Sequence, residues 1–333
     1  MGLMPKLRLS FACWNYDRVR GVMEGRIPVD GISLTCLNLP VEETFFRQLR
    51  CQEFDVCEMG FGPYTTWVSK GNAPLISIPV FPSRMFRHSC IYVNAKSGIS
   101  KPQDLVGKRV GLPEYQMTAA IWIRGIMSDE YGVKMSSVNY FTGGLEQPGR
   151  PEKVKLDLPP EIHCQRIPED KTLAGMLEDG EIDALYTARA PSTFKGGTSK
   201  VRRLFPDFQT VEREYYRKTK IFPMMHTIAI RREIYERHPW VAQSLQKAFV
   251  LAQQEIYEDF HQTAALKFML PWLMRHVEET EELMGSDFWP YGFQQNLHAL
   301  NTYVRYHHES GCSRRLVSPE ELFAKETLET FKI

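Results

Sequence analysis

The chain has 333 residues, of which 43% are hydrophobic and 24% are charged, a composition typical of a globular protein without long disordered segments. Its 41 basic and 40 acidic residues leave a net charge of +1, so nothing favours a nucleic-acid or membrane-surface partner. No apolar run reaches the roughly 20 residues that a membrane-spanning helix requires.

The N-terminal segment predicts a strand and not an export signal. Apolar and polar residues alternate in LRLSFAC (7–13), whereas a signal peptide carries a continuous apolar stretch. The seven cysteines are odd in number and lack C-x-x-C spacing, which suits reduced thiols better than disulfides or a structural zinc site. We therefore expect a cytoplasmic protein without a metal site.

Strand-like and helix-like segments alternate in the first hundred residues. The predicted helices cover residues 16–24, 41–51 and 61–70, and each is followed by an apolar, strand-like stretch. Such alternation indicates parallel βαβ units. No glycine-rich phosphate-binding motif follows the first strand, which argues against a nucleotide-binding fold.

A second α/β stretch begins near Ser89. It contains the strand CIYVNA (90–95), a convincing helix at 116–131, a Gly- and Pro-rich loop at 142–160 and the strand IDALYTA (182–188). Beyond about residue 215 the pattern becomes helical, chiefly at 239–268 and 293–310. We expect one lobe from residues 1–88 and 215–333 and a second lobe from residues 89–214.

This order of elements resembles that of type II solute-binding proteins. The string DLVGKRVG (104–111) and the string LEDGEIDAL (177–185) match motifs of the second lobe in such proteins. The resemblance implies an α/β, two-lobed, periplasmic-binding-protein-like fold with a ligand cleft between the lobes and extra C-terminal helices.

Longer strings resemble the 4,5-dihydroxyphthalate decarboxylase family in order over nearly the whole chain. They include RMFRHSCIYVN (84–94), and the most selective are P-x-M-H within EYYRKTKIFPMMHT (214–227) and W-P-Y-G within DFWPYG (287–292). The resemblance implies a cytoplasmic carboxy-lyase that converts 4,5-dihydroxyphthalate to protocatechuate and carbon dioxide. We expect a small aromatic carboxylate as the ligand and a homo-oligomeric protein.

The reaction itself requires three kinds of group. Each carboxylate of 4,5-dihydroxyphthalate lies para to a hydroxyl, so deprotonation of that hydroxyl pushes electron density onto the carbon that loses carbon dioxide. A base must take the phenolic proton, an acid must protonate the ring carbon, and cations must hold the retained carboxylate. No metal or cofactor is needed in principle.

Cationic candidates stand at the predicted lobe crossings. Arg84, Arg87 and His88 precede the first strand of the second lobe, where arginines could bind a carboxylate bidentately or form surface ion pairs. Arg189 follows IDALYTA as a carboxylate ligand or as part of a hinge ion pair.

The start of the helix at 116–131 offers a second anion site. Its free N–H groups and dipole favour an anion, and the hydroxyl of Thr118 adds a donor. Tyr115 could contact the substrate or pack in the core. Arg124 lies one turn further along an apolar face, where it could bind substrate or pair with a carboxylate.

Proton-transfer candidates are His226, His88 and Glu58. His226 follows IFPMM where the chain should return to the first lobe, and a histidine exchanges protons near neutral pH. Glu58 ends an apolar strand, where it could orient a histidine, act as the acid or neutralise an arginine. Tyr16, after the first strand, could line the cleft or the core.

Three other functions remain open at this point. A non-catalytic binding protein for an aromatic carboxylate would share the fold and the arginines. A decarboxylase for another hydroxybenzoate or phthalate would differ only in pocket shape. A pyrimidine-synthesising enzyme of thiamine metabolism uses this fold with a dense cysteine motif, which the dispersed cysteines here do not match.

Overall fold

Two β-sheets form the framework of the protein, for which a computed structural model describes residues 5–197 and 199–329. The strands are β1 Leu7–Cys13, β2 Ile32–Asn38, β3 Val56–Gly60, β4 Leu75–Arg84, β5 Ile91–Asn94, β6 Arg109–Leu112, β7 Asn139–Thr142, β8 Cys164–Arg166, β9 Ala184–Tyr186, β10 Val201–Arg203 and β11 Met224–Arg231. The helices are α1 Asp17–Met23, α2 Val41–Cys51, α3 Phe61–Ser69, α4 Thr118–Tyr131, α5 Leu173–Asp179, α6 Ser192–Lys195, α7 Phe208–Thr219, α8 Arg232–Arg237, α9 Trp240–Phe260, α10 Leu273–Met284 and α11 Leu297–Glu309.

The first sheet has the strand order β2-β1-β3-β11-β4. Strand β1 runs parallel to β2 and β3, whereas β11 is antiparallel to β3 and β4. Because β11 returns late in the chain and lies between two early strands, it places His226 opposite Gly60 at the end of β3. Residues far apart in sequence thus meet at one edge of this sheet.

The second sheet has the order β10-β5-β9-β6-β7-β8. Its strands fall between residues 91 and 203, and those of the first sheet fall before residue 85 and after residue 223. The predicted lobe boundaries, 88/89 and 214/215, lie between these strands and stay predictions. No described helix has both the length and the apolar character needed to cross a membrane.

Helix α4 joins the two halves of the molecule. Its first ten residues, 118–127, are all buried, and it packs against α3 and α11. The Trp122 indole donates a hydrogen bond of 2.8 Å to the Met224 carbonyl of β11. At Gly62 a Cβ atom would lie 2.0 Å from the Gln116 carbonyl oxygen, so only glycine permits this approach of α3 to the segment before α4.

Most predicted elements are present, but the C-terminal part differs from expectation. Helix α9 ends at Phe260 and not near 268, because the apolar residues beyond it find no core: Leu266 is 47% and Met269 104% exposed. Helices α7 and α10 were not expected. The strongly polar α7 buries only Glu212 and Tyr215, so it carries too few apolar positions to reveal a helical period.

Candidate active site

A cavity of about 370 Å³ lies between the two sheets. Its first wall consists of residues at or beyond the ends of β1, β3 and β4, the start of α2, and Met225 and His226 of β11. Its second wall consists of the segment after β6, the start of α4, part of the loop after β7, and residues after β9. Strand ends of both sheets therefore converge on it, as ligand sites in open α/β folds require.

The cavity opens toward a wider depression of about 710 Å³. The two share Glu42, Met117, Arg150, Ala188 and Arg189, which therefore lie at the mouth. Arg189 forms an ion pair with Glu42, at 2.7 Å, that connects the segment after β9 with α2. Its side chain is 63% exposed, so the pair contributes little to stability but spans the entrance.

Glu58 and His226 form a hydrogen-bonded pair at the floor of the first wall. The Nδ1 atom of His226 lies 2.6 Å from Glu58 Oε1, and the Glu58 side chain is fully buried. A buried carboxylate at Nδ1 orients the imidazole, which leaves Nε2 as the nitrogen for proton exchange. His226 lines the cavity, and its ring lies edge-on to Phe45 at 4.9 Å between centroids.

Glu58 stays ionised in spite of its burial. Burial opposes ionisation, but the charge and hydrogen bond of His226, together with hydrogen bonds from Tyr16 and the Trp14 amide, hold the Glu58 pKa below its ordinary value. The Tyr16 hydroxyl donates at 2.7 Å and the Trp14 N–H at 3.1 Å. Burial and the neighbouring Glu58 charge raise the Tyr16 pKa, so this phenol stays protonated as a donor to the carboxylate.

Arg87 carries a buried guanidinium without a carboxylate partner. Among the described residues, its nitrogens donate hydrogen bonds only to sulfur atoms: Met225 Sδ at 3.2 Å, Cys90 Sγ at 3.5 Å and Met85 Sδ at 3.7 Å. Sulfur is a weak acceptor, and no acidic side chain in the described part of the chain lies within ion-pair distance. Arg87 lines the cavity and is 5% exposed, so its charge is available to an anionic ligand.

Arg84 lines the same wall but uses its donors within the protein. Its Nη atoms donate 2.8 Å hydrogen bonds to the carbonyls of Phe222 and Pro290, and one of them also contacts Asn296. Burial lowers its pKa to about 10. Arg84 therefore holds the end of β4 against the segment before β11. Its charge contributes to the positive potential of the cavity, but its Nη donors are not directed at a ligand.

The second wall carries Thr118 and a cluster of one acid with two cations. Thr118 Oγ1 accepts a 2.8 Å hydrogen bond from Gly62 N, which leaves its own hydroxyl hydrogen to donate. Glu114 Oε1 accepts from Arg150 Nη2 at 2.6 Å and from Lys153 Nζ, and both cations line the cavity. Arg150 and Lys153 belong to the irregular loop after β7, in which the sequence analysis identified no candidate site residue.

Apart from Glu58, which lies behind His226, three expected site residues do not line the cavity. His88 packs among the rings of Tyr131, Phe205 and Tyr215, and neither of its ring nitrogens has a partner among the described residues. Burial lowers its pKa to about 4, so this histidine is neutral at physiological pH. The expectation that His88 transfers a proton to substrate is therefore corrected: it turns into the aromatic core while the adjacent Arg87 faces the cleft.

Tyr115 and Arg124 are the other two expected site residues that do not line the cavity. The Tyr115 hydroxyl donates to the Ser310 carbonyl at 2.9 Å, so this side chain is buried behind the cavity wall. The Arg124 guanidinium stacks on the Tyr115 ring at 3.9 Å and donates to the Tyr115 carbonyl at 2.9 Å. Arg124 is 1% exposed, and both residues brace the start of α4 without contacting the cavity.

The sequence therefore identified His226, Glu58, Tyr16, Arg84, Arg87, Thr118 and Arg189 as candidates that the structure places in or against the cavity. It missed Phe45, Met225, Arg150 and Lys153, among others. A charged stretch inside a Gly- and Pro-rich loop was the one available signal for the last two. Within the described ranges, no group of three or more His, Cys, Asp or Glu is arranged as a metal site.

Comparisons with known proteins agree on family and fold. The chain is 42% identical over 330 residues to 4,5-dihydroxyphthalate decarboxylase of Comamonas testosteroni, across 99% of this chain and all of that protein. It is 42% identical over 215 residues to 4,5-dihydroxyphthalate decarboxylase of Pseudomonas putida, across 65% of this chain and 83% of that protein. A comparison with models of protein families finds no match.

Solved structures show the fold. The periplasmic aliphatic sulphonate binding protein SsuA of Escherichia coli aligns with 97% of this chain and 99% of its own, at a TM-score of 0.53 and 15% identity. The two-lobed periplasmic-binding-protein fold predicted from the order of elements is thereby confirmed.

Proposed function

Because the chain belongs to the 4,5-dihydroxyphthalate decarboxylase family, we propose that it converts 4,5-dihydroxyphthalate to protocatechuate and carbon dioxide in phthalate degradation. One structural observation carries the proposal: His226, which is hydrogen-bonded to the buried Glu58 carboxylate, and the buried Arg87, which has no carboxylate partner among the described residues, line one cavity between the lobes. The pair supplies a base, and the arginine supplies a counter-ion for a carboxylate.

The charge of the cavity suits a dianion. Two carboxylates lie among its lining residues, Glu42 and Glu114, against six cationic side chains: Arg18, Arg84, Arg87, Arg150, Lys153 and Arg189. An excess of positive charge in a cleft with low-dielectric walls attracts and holds an anionic substrate. Because the two carboxylates of 4,5-dihydroxyphthalate are adjacent, this molecule presents both negative charges at one end of its ring.

The hydroxyl end then faces the Glu58–His226 pair. His226 Nε2 takes the proton of the hydroxyl that lies para to the departing carboxylate, and Glu58 stabilises the resulting imidazolium. The phenolate electrons move into the ring and increase the electron density on the carbon that carries this carboxylate. Apolar side chains of Val41, Phe45 and Met117 in the lining limit the water around the departing group.

The purified protein should be mixed with 4,5-dihydroxyphthalate while its ultraviolet spectrum and the released carbon dioxide are recorded. We expect saturable turnover with one carbon dioxide per substrate, unchanged after the protein is stripped of divalent ions. The His226→Asn variant should bind substrate and lose turnover. Saturable binding by the wild type with no carbon dioxide release would contradict the proposal and favour a binding protein for aromatic carboxylates.

We also propose a cytoplasmic location and a homo-oligomeric state. All seven cysteines are unpaired, as in proteins of a reducing compartment. The exposed apolar side chains of Leu266, Met269, Leu270 and Trp272 support self-association, because large exposed apolar patches commonly mark interfaces. Cell fractionation tests the location. Sedimentation velocity tests the state, and a species of about 38.6 kDa at all concentrations would contradict it.

A further inference from the structure

The proposed decarboxylation requires an acid as well as a base. The hydroxyl that loses its proton and the ring carbon that gains one lie para, on opposite sides of the six-membered ring. With its imidazole directed at the hydroxyl, His226 cannot deliver a proton to that carbon in the same complex. A second proton carrier must line the cavity.

We infer that Lys153 is the acid that protonates the ring carbon, an assignment that rests on the proposed function. Arginines do not release protons near neutral pH. Glu42 and Glu114 accept hydrogen bonds in ion pairs, and the Tyr16 hydroxyl is committed to Glu58. Among the described lining residues, Lys153 is then the remaining group, besides His226, that exchanges a proton in an accessible pH range.

The position of Lys153 suits that role. It lies on the second wall, across the cavity from β11, which carries His226. The Glu152 carboxylate accepts the Tyr115 N–H at 2.5 Å, and the Gln116 side-chain amide donates to the Val154 carbonyl at 3.0 Å. These contacts on both sides of Lys153 fix the loop to the segment that begins α4, so the ammonium is held in place.

The surroundings of Lys153 also favour release of its proton. Its side chain is 6% exposed, and its Nζ atom lies 4.5 Å from the centre of the Phe46 ring. Burial lowers the Lys153 pKa, the charge of Arg150 lowers it further, and Glu114 opposes both effects. An ammonium of lowered pKa is a stronger acid, yet it remains a cation that attracts a carboxylate.

The step balances as follows. His226 removes the hydroxyl proton, and the oxygen lone pair forms a carbonyl while a ring electron pair forms a C–H bond with a proton of Lys153. The bond between the protonated ring carbon, para to the hydroxyl, and its carboxylate then breaks. The electrons of this bond restore the aromatic ring and the phenolate, and carbon dioxide leaves. The imidazolium returns its proton to the phenolate oxygen. The neutral Lys153 amine regains a proton from solvent, which is the one proton that the overall reaction consumes.

Substitutions at Lys153 distinguish its role as a proton donor from its role as a cation that attracts the substrate. Lys153→Arg keeps the cation but removes the transferable proton, so we expect kcat to fall about 10²- to 10⁴-fold with KM changed less than about fivefold. Lys153→Met should also raise KM. Lys155→Met is the matched control, since Lys155 is exposed on the same loop and does not line the cavity. Its kcat should stay within about twofold of the wild type.

Lys153→Arg with a kcat close to that of the wild type would overturn the inference while leaving the decarboxylase function intact. Failure of the proposed function has a different signature, since the wild type itself would then release no carbon dioxide. Should Lys153→Arg not fold, Glu114→Gln gives an independent test, because it removes the carboxylate that raises the Lys153 pKa. The alkaline limb of the pH profile of kcat should then move to lower pH. An alkaline limb at the same pH as in the wild type would also overturn the assignment.

Discussion

Replacement of Glu58 by Gln tests the proton-accepting pair most sharply, because the side chain keeps its shape and loses only its charge. In the wild type three N–H and O–H donors converge on this carboxylate, His226 Nδ1 at 2.6 Å, the Tyr16 hydroxyl at 2.7 Å and the Trp14 amide at 3.1 Å, and the weaker donor Cys13 Sγ lies at 3.6 Å. A glutamine has one carbonyl oxygen for these three donors, and its NH₂ group must face at least one of them.

The expected loss follows from these contacts. Hydrogen bonds to a charged group contribute about 1.5–3 kcal/mol each, all three are weakened when the carboxylate becomes a neutral amide, and at least one is lost to the NH₂ group. The imidazolium formed during the reaction also loses its counter-ion. A total of about 3–5 kcal/mol in the transition state corresponds to a fall in kcat of roughly 10²- to 10⁴-fold. The free energy of unfolding should change by less than about 2 kcal/mol, since the cost of burying a charge disappears as well.

Initial rates of carbon dioxide release measure the kinetic effect, and thermal unfolding followed by circular dichroism measures the stability. Glu53→Gln is the matched control, because Glu53 is an exposed residue shortly before β3 that pairs with Arg47. Its rate should stay within about twofold of the wild type. A folded Glu58→Gln variant with a kcat near that of the wild type would refute the role of Glu58.

Two other substitutions address titratable groups outside the cavity lining. His88→Phe should leave kcat within about twofold of the wild type and keep or raise the unfolding temperature. The reason is that it removes two unpartnered ring nitrogens, whose burial costs about 1–3 kcal/mol each. A tenfold loss of kcat would show that His88 takes part in the mechanism. Burial raises the Glu152 pKa from 4.5 to about 7. Between these two pH values the folded state holds a proton that the unfolded state has lost. The free energy of unfolding of the wild type therefore decreases as the pH rises through this range. Glu152→Gln should therefore raise the unfolding temperature more at pH 8 than at pH 4, and an equal effect at both pH values would contradict the shifted pKa.

The fold and half of the site follow from local sequence patterns. Glu58 lies two residues before the end of β3 and Tyr16 three residues after the end of β1, and strand ends converge in this fold, so their place near the cleft was predictable. His226 was predictable in the same way, since the chain had to return to the first sheet. Its partnership with Glu58 depends on the insertion of β11 between β3 and β4, which no local pattern reveals.

The rest of the site depends on side-chain direction and on loop packing. Arg87 and His88 are neighbours, but only Arg87 faces the cleft, and the short helical turn that separates their directions has no period to detect. Lys153 lies in an irregular loop whose position is set by contacts of Glu152 and Val154 with the segment before α4. Secondary-structure propensity and hydrophobic periodicity do not reveal such long-range contacts.

A crystal structure of the His226→Asn variant with bound 4,5-dihydroxyphthalate tests the arrangement of the site most directly. The substrate should lie in the cavity between the sheets with a hydroxyl directed at residue 226, a carboxylate on the guanidinium of Arg87, and the para ring carbon next to Lys153. A substrate bound outside this cavity, or one with its hydroxyls on Arg87 and its carboxylates toward residue 226, would contradict the mechanism.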